Sequence, residues 1–169
     1  SAASDVYKRQ AFAPEQKVIS YTTRPPREGE EHGRDYYFVS KKKFKQMVND
    51  DQFAEYDVYD EEFYGIAKST LREALTAGNC YDPITTTGFI NLHRIFGDQM
   101  VPIWINISQE TMIARLEKRA TPKELERRLA IFQEDVESLE RLKKFPNLIV
   151  INGEATLEEM LLQLRQALD

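Results

Sequence analysis

The sequence predicts an α/β fold: a parallel sheet with helices in its second half, carrying an inserted mixed antiparallel piece over residues of about 20 to 80. Three observations predict it. Val101-Pro102-Ile103-Trp104-Ile105-Asn106-Ile107 is a nearly continuous apolar run, the pattern of a strand buried on both faces of a parallel sheet. Two capping boxes, Thr121-Pro122-Lys123-Glu124 and Thr156-Leu157-Glu158-Glu159, open helical stretches on either side of the short apolar run 148–151. Earlier in the chain the pattern alternates instead, and Phe53-Ala54-Glu55-Tyr56-Asp57-Val58-Tyr59 reads as a half-buried strand with Glu55 and Asp57 on one side.

The elements follow in order. Residues 1–10 are compositionally unlike the rest and read as a non-native leader, which leaves 11–169 as the domain. A strand is expected at 17–21. Pro25 and Pro26 then stiffen a loop carrying Arg24 and Arg27, and Gly29 and Gly33 let the chain reverse into the aromatic strand from Tyr36. Ser40 caps a short helix with Phe44, Met47 and Val48 on one face. Asp60-Glu61-Glu62 is a turn, Phe63-Tyr64-Gly65-Ile66 a returning strand, and Ser69 or Thr70 starts a helix closed by Gly78. Residues 80–85 read as a strand and 89–96 as a helix. Ser108 caps a helix through Met112, Ile113 and Leu116. The helix opened by Thr121 carries Leu125, Leu129, Phe132, Val136 and Leu139 at helical spacing.

Bulk properties exclude several classes. Hydrophobic residues make up 41% and charged residues 30%, enough apolar material for a core and too much for a disordered chain. A net charge of -5 argues against nonspecific nucleic-acid binding, so a basic site must be local. The single cysteine, Cys80, permits no internal disulfide and fits a cytoplasmic protein. No apolar run reaches the roughly 18 residues of a membrane span. Oligomeric state is not legible.

Three groups of residues suit chemistry. Arg24 and Arg27, with a nearby serine and tyrosine hydroxyl, suit a phosphate dianion, which guanidinium forks bind bidentately. Arg115 and Arg119 are i, i+4 on one helix face, and Arg128 lies beyond the break at Ala120-Thr121-Pro122. Such arginines suit a lid over polyphosphate; taken alone they fit a solvated face paired with Glu117, Glu124 and Glu126 better. Glu55 beside Tyr64-Gly65 could accept the N1–H and amine edge of guanine, or be an ordinary strand glutamate. His32 and His93 are too far apart in sequence to suggest a metal site, and Cys80 and Trp104 read as core.

In order and spacing, Ser20-Tyr21-Thr22-Thr23-Arg24-Pro25-Pro26-Arg27-Glu28-Gly29-Glu30, Gly33-Arg34-Asp35-Tyr36, Phe53-Ala54-Glu55 and Tyr64-Gly65 resemble the guanylate kinase family. Arg115, Arg119 and Arg127-Arg128-Leu129 resemble that family's lid, placed at about 112–130. The resemblance implies a P-loop nucleoside monophosphate kinase core with an inserted GMP-binding subdomain. It implies transfer of the γ-phosphoryl of ATP to GMP with Mg²⁺. Ser20, Arg24, Arg27, Tyr36 and Tyr64 would hold the GMP phosphate, Glu55 would read guanine, and Arg115, Arg119 and Arg128 would clamp the transferring phosphates.

The sequence departs from the family pattern at three places. No Gly-x-x-Gly-x-Gly-Lys-Ser/Thr loop occurs in it, so the expectation is an N-terminally truncated core, lacking its first strand and loop, that binds GMP and turns over negligibly. No residue of the chain is expected to hold Mg²⁺ or ATP. Asp82-Pro83-Ile84-Thr85-Thr86-Thr87-Gly88 carries threonines where two aspartates are expected, and Asp82 would substitute only if the alignment slips. Ile66 stands where a hydroxyl would face guanine, which leaves base preference open. The lid segment is slightly short. The competing expectation is a non-catalytic module whose phosphate pocket binds phosphorylated protein segments.

Overall fold

A computed structural model describes residues 16–117 and 121–168, which divide into two units, 16–97 and 98–168. The leader expected at 1–10 lies outside the described residues.

The first unit is built on seven elements: β1 (Tyr21–Thr22), β2 (Tyr37–Phe38), α1 (Lys41–Asn49), β3 (Phe53–Tyr59), β4 (Glu62–Ala67), α2 (Lys68–Ala77) and α3 (Thr86–Phe96). Its four-stranded sheet runs β2-β1-β4-β3, parallel between β1 and β2 and antiparallel elsewhere. Asp60 and Glu61 both adopt positive φ, 53° and 65°, between the paired Tyr59 and Glu62. A two-residue hairpin turn with both φ positive matches the right-handed twist of its strands.

Alternation gives this sheet two unlike faces. Tyr21, Tyr37, Tyr56, Phe63 and Gly65 fall on one, toward α1. Ser40 caps α1 by accepting from the Lys43 N–H at 3.1 Å, and the helix buries Phe44 and Met47. Phe44 is fully buried and stacks on Phe53 with ring centroids 4.5 Å apart; Phe63 lies 5.3 Å away. Burying a side chain of this size contributes about 1.5–3 kcal/mol. Gly65 is required here, because a Cβ would come within 2.8 Å of the Phe53 ring. The opposite face carries Thr22, Phe38, Asp57, Tyr64, Glu55 and Ile66, by the pairs Thr22↔Phe38, Thr22↔Tyr64, Asp57↔Tyr64 and Glu55↔Ile66.

Simple alternation would put Phe53 and Glu55 on one side. The register shifts between them, since Phe53 pairs with Ala67 and Glu55 with Ile66. This bulge turns Phe53 into the α1 core and leaves Glu55 on the other face.

Four boundaries differ from expectation. The strand expected at 80–85 is a single parallel bridge, Lys17↔Tyr81, with Val18 donating to the Tyr81 carbonyl at 2.9 Å. Pro83 has no N–H to continue a ladder, and Thr85 already caps α3, accepting from the Gly88 N–H at 3.0 Å. The helix therefore starts at Thr86, three residues before the expected 89. α2 starts at Lys68 without a side-chain cap; Thr70 donates to the Ala67 carbonyl at 3.0 Å instead. The strand expected at 17–21 is reduced to the Lys17 bridge and the two residues of β1.

The second unit contains β5 (Ile103–Asn106), α4 (Gln109–Glu117), α5 (Pro122–Leu142), β6 (Ile149–Asn152) and α6 (Leu157–Leu168). β5 and β6 pair in parallel from Ile103↔Ile149 to Asn106↔Asn152, as the apolar runs require. Thr121 and Glu124 make the reciprocal capping box that opens α5, and Thr156 and Glu159 exchange the same bonds before α6. Ile151 of β6 and Leu164 of α6 are buried, and the two elements pack against each other. Among the described residues no helix is long and apolar enough to cross a membrane.

Candidate functional site

Arg24 is set by its backbone before its side chain is considered. Buried Thr22 accepts the Arg24 N–H at 3.2 Å and donates to the Phe63 carbonyl at 3.0 Å, so the residue leaving β1 is tied to β4. The guanidinium then makes a bidentate pair with Glu30, both bonds at 2.9 Å, and donates to the Pro25 carbonyl at 2.8 Å. The Tyr64 hydroxyl also favours its charge, and the guanidinium lies 5.6 Å from the Tyr36 ring centroid. Burial, which alone would lower the Arg24 pKa, is outweighed by Glu30 and Tyr64, and the group is held fully cationic. Glu30 shows the converse: burial raises it, but bonds from Arg24 and from the Arg27 N–H at 2.7 Å bring it below the usual carboxylate range.

Tyr36 and Tyr64 meet edge to face with centroids 6.2 Å apart, so both aromatic residues of the expected phosphate site sit with Arg24. Lys17 adds a second cation over the Tyr36 ring, at 4.7 Å. Arg27 follows on the same loop with an exposed side chain. Ser20 is buried and its hydroxyl donates to Asp82. His32 Nδ1 accepts the Phe38 N–H at 3.2 Å.

Glu55 stands at the other end of the same face. It is only 7% exposed, and its Oε2 accepts no hydrogen bond. Burial, then the like charges of Asp82 and Asp57, push its carboxyl to about 7. Thr85 donates to Asp57 Oδ2 at 2.7 Å, and the Val58 N–H donates to Oδ1 at 2.8 Å. Asp82, set aside on alignment grounds, thus lies against both Ser20 and Glu55. Glu30, Asp82, Thr85 and Gly88 are the residues that sequence reading did not assign to the site. The Glu30 within the matched arginine block was the available signal for the first of them.

Along β4, Tyr64 and Ile66 are two residues apart, about 7 Å. A cationic, hydroxyl-bearing end and a carboxyl end are therefore separated along one face. Among the described residues no cluster of three or more His, Cys, Asp or Glu side chains is placed to hold a metal ion.

In the second unit, Arg115 donates to the Gly153 carbonyl at 3.1 Å, and Arg128 is half-buried on α5. Arg119 lies outside the described residues.

The guanylate kinase family model matches residues 6–169. A guanylate kinase of Wolbachia sp. subsp. Brugia malayi (strain TRS) is 33% identical over 142 residues, 82% of this chain and 71% of that protein. A guanylate kinase of Bacteroides fragilis (strain YCH46) is 34% identical over 120 residues, 66% of this chain and 57% of that protein. The chain thus spans 57 to 71% of the length of these two relatives. In fold it is similar to the crystal structure of guanylate kinase from Anaplasma phagocytophilum, with a TM-score of 0.73 at 22% identity over 97% of this chain and 79% of that one.

Proposed function

The chain belongs to the guanylate kinase family, and from that premise we propose that it binds GMP as the acceptor of a phosphoryl group from ATP, giving GDP and ADP. The observation that carries the reading is the pairing, on one sheet face, of Arg24 beside Tyr36 and Tyr64 with a buried Glu55 whose Oε2 lacks a donor. A phosphate supplies the acceptors that Arg24, Arg27 and the tyrosine hydroxyls can use, with Ser20 at the edge of the same face. Guanine supplies, through N1–H and its amine, the two donors that a buried carboxylate requires.

In this reading the acceptor residues hold and orient the GMP phosphate, and most of the rate advantage in phosphoryl transfer comes from such positioning and from charge neutralisation. When bound, Mg²⁺ with ATP supplies the γ-phosphoryl group and neutralises its charge. Arg115, Arg119 and Arg128 take the lid role on the strength of the resemblance. The absence of a glycine-rich loop with lysine from the 169 residues supports negligible turnover by these residues on their own.

Calorimetric titration of the 169-residue chain with GMP and with a phosphoserine peptide tests the reading. GMP binding tighter than the peptide is expected. Tighter peptide binding would replace the nucleotide kinase reading with that of a phosphopeptide module. Rapid GMP phosphorylation by the purified chain would overturn the claim of negligible turnover.

A further inference from the structure

The surroundings of Glu55 bear on which purine the acceptor face takes. Four elements pack against its carboxyl. Its own strand contributes Asp57, and the segment before α3 contributes Asp82. β4 contributes Ile66, the register partner of Glu55 and therefore on the same face. The first turn of α3 contributes Gly88, and a Cβ there would fall 2.6 Å from Glu55 Oε2, so the oxygen rests directly against helix backbone.

Among the described residues, the charges that act on the group are Asp82 and Asp57, both negative, and the first turn of α3 holds no acidic residue. Nor does Thr85 serve Glu55: its hydroxyl donates to Asp57 and accepts from Gly88. A buried carboxyl flanked by two others, with no donor to its Oε2, is costly as an anion. Its value of about 7 means that both forms are well populated near neutrality.

Resting on the acceptor-site reading above, we propose that Glu55 reads two purines, one in each protonation state. As a carboxylate it accepts from guanine N1–H and the 2-amino group. As a carboxylic acid it donates to adenine N1 and accepts from the 6-amino group, making AMP a second ligand of the same face. Both pairings make two hydrogen bonds and leave neither Glu55 oxygen unpartnered. Ile66 does not oppose the exchange, because an apolar side chain offers guanine O6 no donor. The phosphate end, with Arg24 and Tyr64, is common to both nucleotides and does not discriminate.

The test is calorimetric titration of the 169-residue chain with GMP and AMP at pH 6 and pH 8. From pH 8 to pH 6, GMP is expected to weaken and AMP to strengthen, each by up to about tenfold. The ligand phosphate titrates near 6, but it does so in both nucleotides and cancels from the AMP/GMP ratio. Glu55→Gln presents one donor and one acceptor at every pH, and is expected to prefer AMP with a ratio independent of pH. Asp57→Asn removes a like charge and is expected to move the crossover to lower pH. A wild-type ratio unchanged between pH 6 and pH 8, with GMP still bound, overturns this proposal and leaves the acceptor site standing. Absence of GMP binding at both pH values overturns the acceptor-site reading and this proposal with it.

Discussion

Arg24 and Glu30 form a bidentate pair, two bonds of 2.9 Å, with each side chain 14% exposed. The pair is closed by a third bond, from the Arg27 N–H to Glu30, which fixes the loop between them. Glu30 therefore holds the plane of the guanidinium. A carboxylate that merely competed with phosphate would have the opposite effect on affinity.

Glu30→Gln is accordingly expected to weaken GMP binding by about fivefold, on the order of 1 kcal/mol for a partly exposed pair. AMP binding should weaken by the same factor, since both use the phosphate end. Dissociation constants measured by calorimetry decide it; tighter binding by the variant would show Glu30 to be a competitor.

Gly88→Ala is expected to damage base reading and spare phosphate binding. The added Cβ would meet Glu55 Oε2 at 2.6 Å and Thr85 Oγ1 at 3.3 Å, so the carboxyl must leave its place. GMP affinity should fall about tenfold, as when a buried hydrogen-bonding group is lost. Ribose 5-phosphate, which has no base, should bind the variant as it binds the parent chain.

Glu55 also makes stability depend on pH. Its folded-state value of about 7 lies above the ordinary 4.5, so the folded chain holds the proton more tightly than the unfolded chain between those values. Its contribution falls as pH rises from 4.5 to 7 and is flat above, a change on the order of 3 kcal/mol. Glu30, held below its ordinary value, works in the other direction and loses its contribution as pH falls below 4.5. Thermal unfolding is expected to show Glu55→Gln more stable than the parent at pH 8, with the difference vanishing near pH 5. A variant less stable at both would contradict the cost assigned to the buried charge.

Phe44→Ala is expected to cost about 3–5 kcal/mol, because Phe44 is fully buried against Phe53, Phe63 and Tyr56. Denaturant unfolding followed by tyrosine fluorescence measures it. A loss under 1 kcal/mol would mean that α1 does not close this face.

Local chemistry was legible where a few adjacent residues decide the outcome. Ser40, Thr121 and Thr156 cap their helices as their spacing implies, because capping needs only a hydroxyl and the next three residues. Gly78 ends α2 at φ 128°, where other residues are strained. The run 80–85 misled because strand propensity does not reveal whether a partner is present, and Thr85 is drawn instead into capping α3. The bulge at Phe53–Glu55 is set by pairing with β4, so alternation alone places Phe53 on the wrong face. Arg24, Tyr36 and Tyr64, which a family pattern groups, lie close together in the fold. Glu30, Asp82, Thr85 and Gly88 act through contacts with residues far along the chain or through shape, which spacing does not encode.

The central claim is that one sheet face binds phosphate at Arg24 and a purine at Glu55. Calorimetry with GMP and with inorganic phosphate, on the parent chain, Arg24→Ala and Glu55→Ala, tests it most directly. Arg24→Ala is predicted to weaken both ligands by more than about tenfold, as loss of a charge-assisted bidentate contact implies, while Glu55→Ala weakens GMP alone. Equal affinity of Arg24→Ala and the parent for GMP would contradict the account.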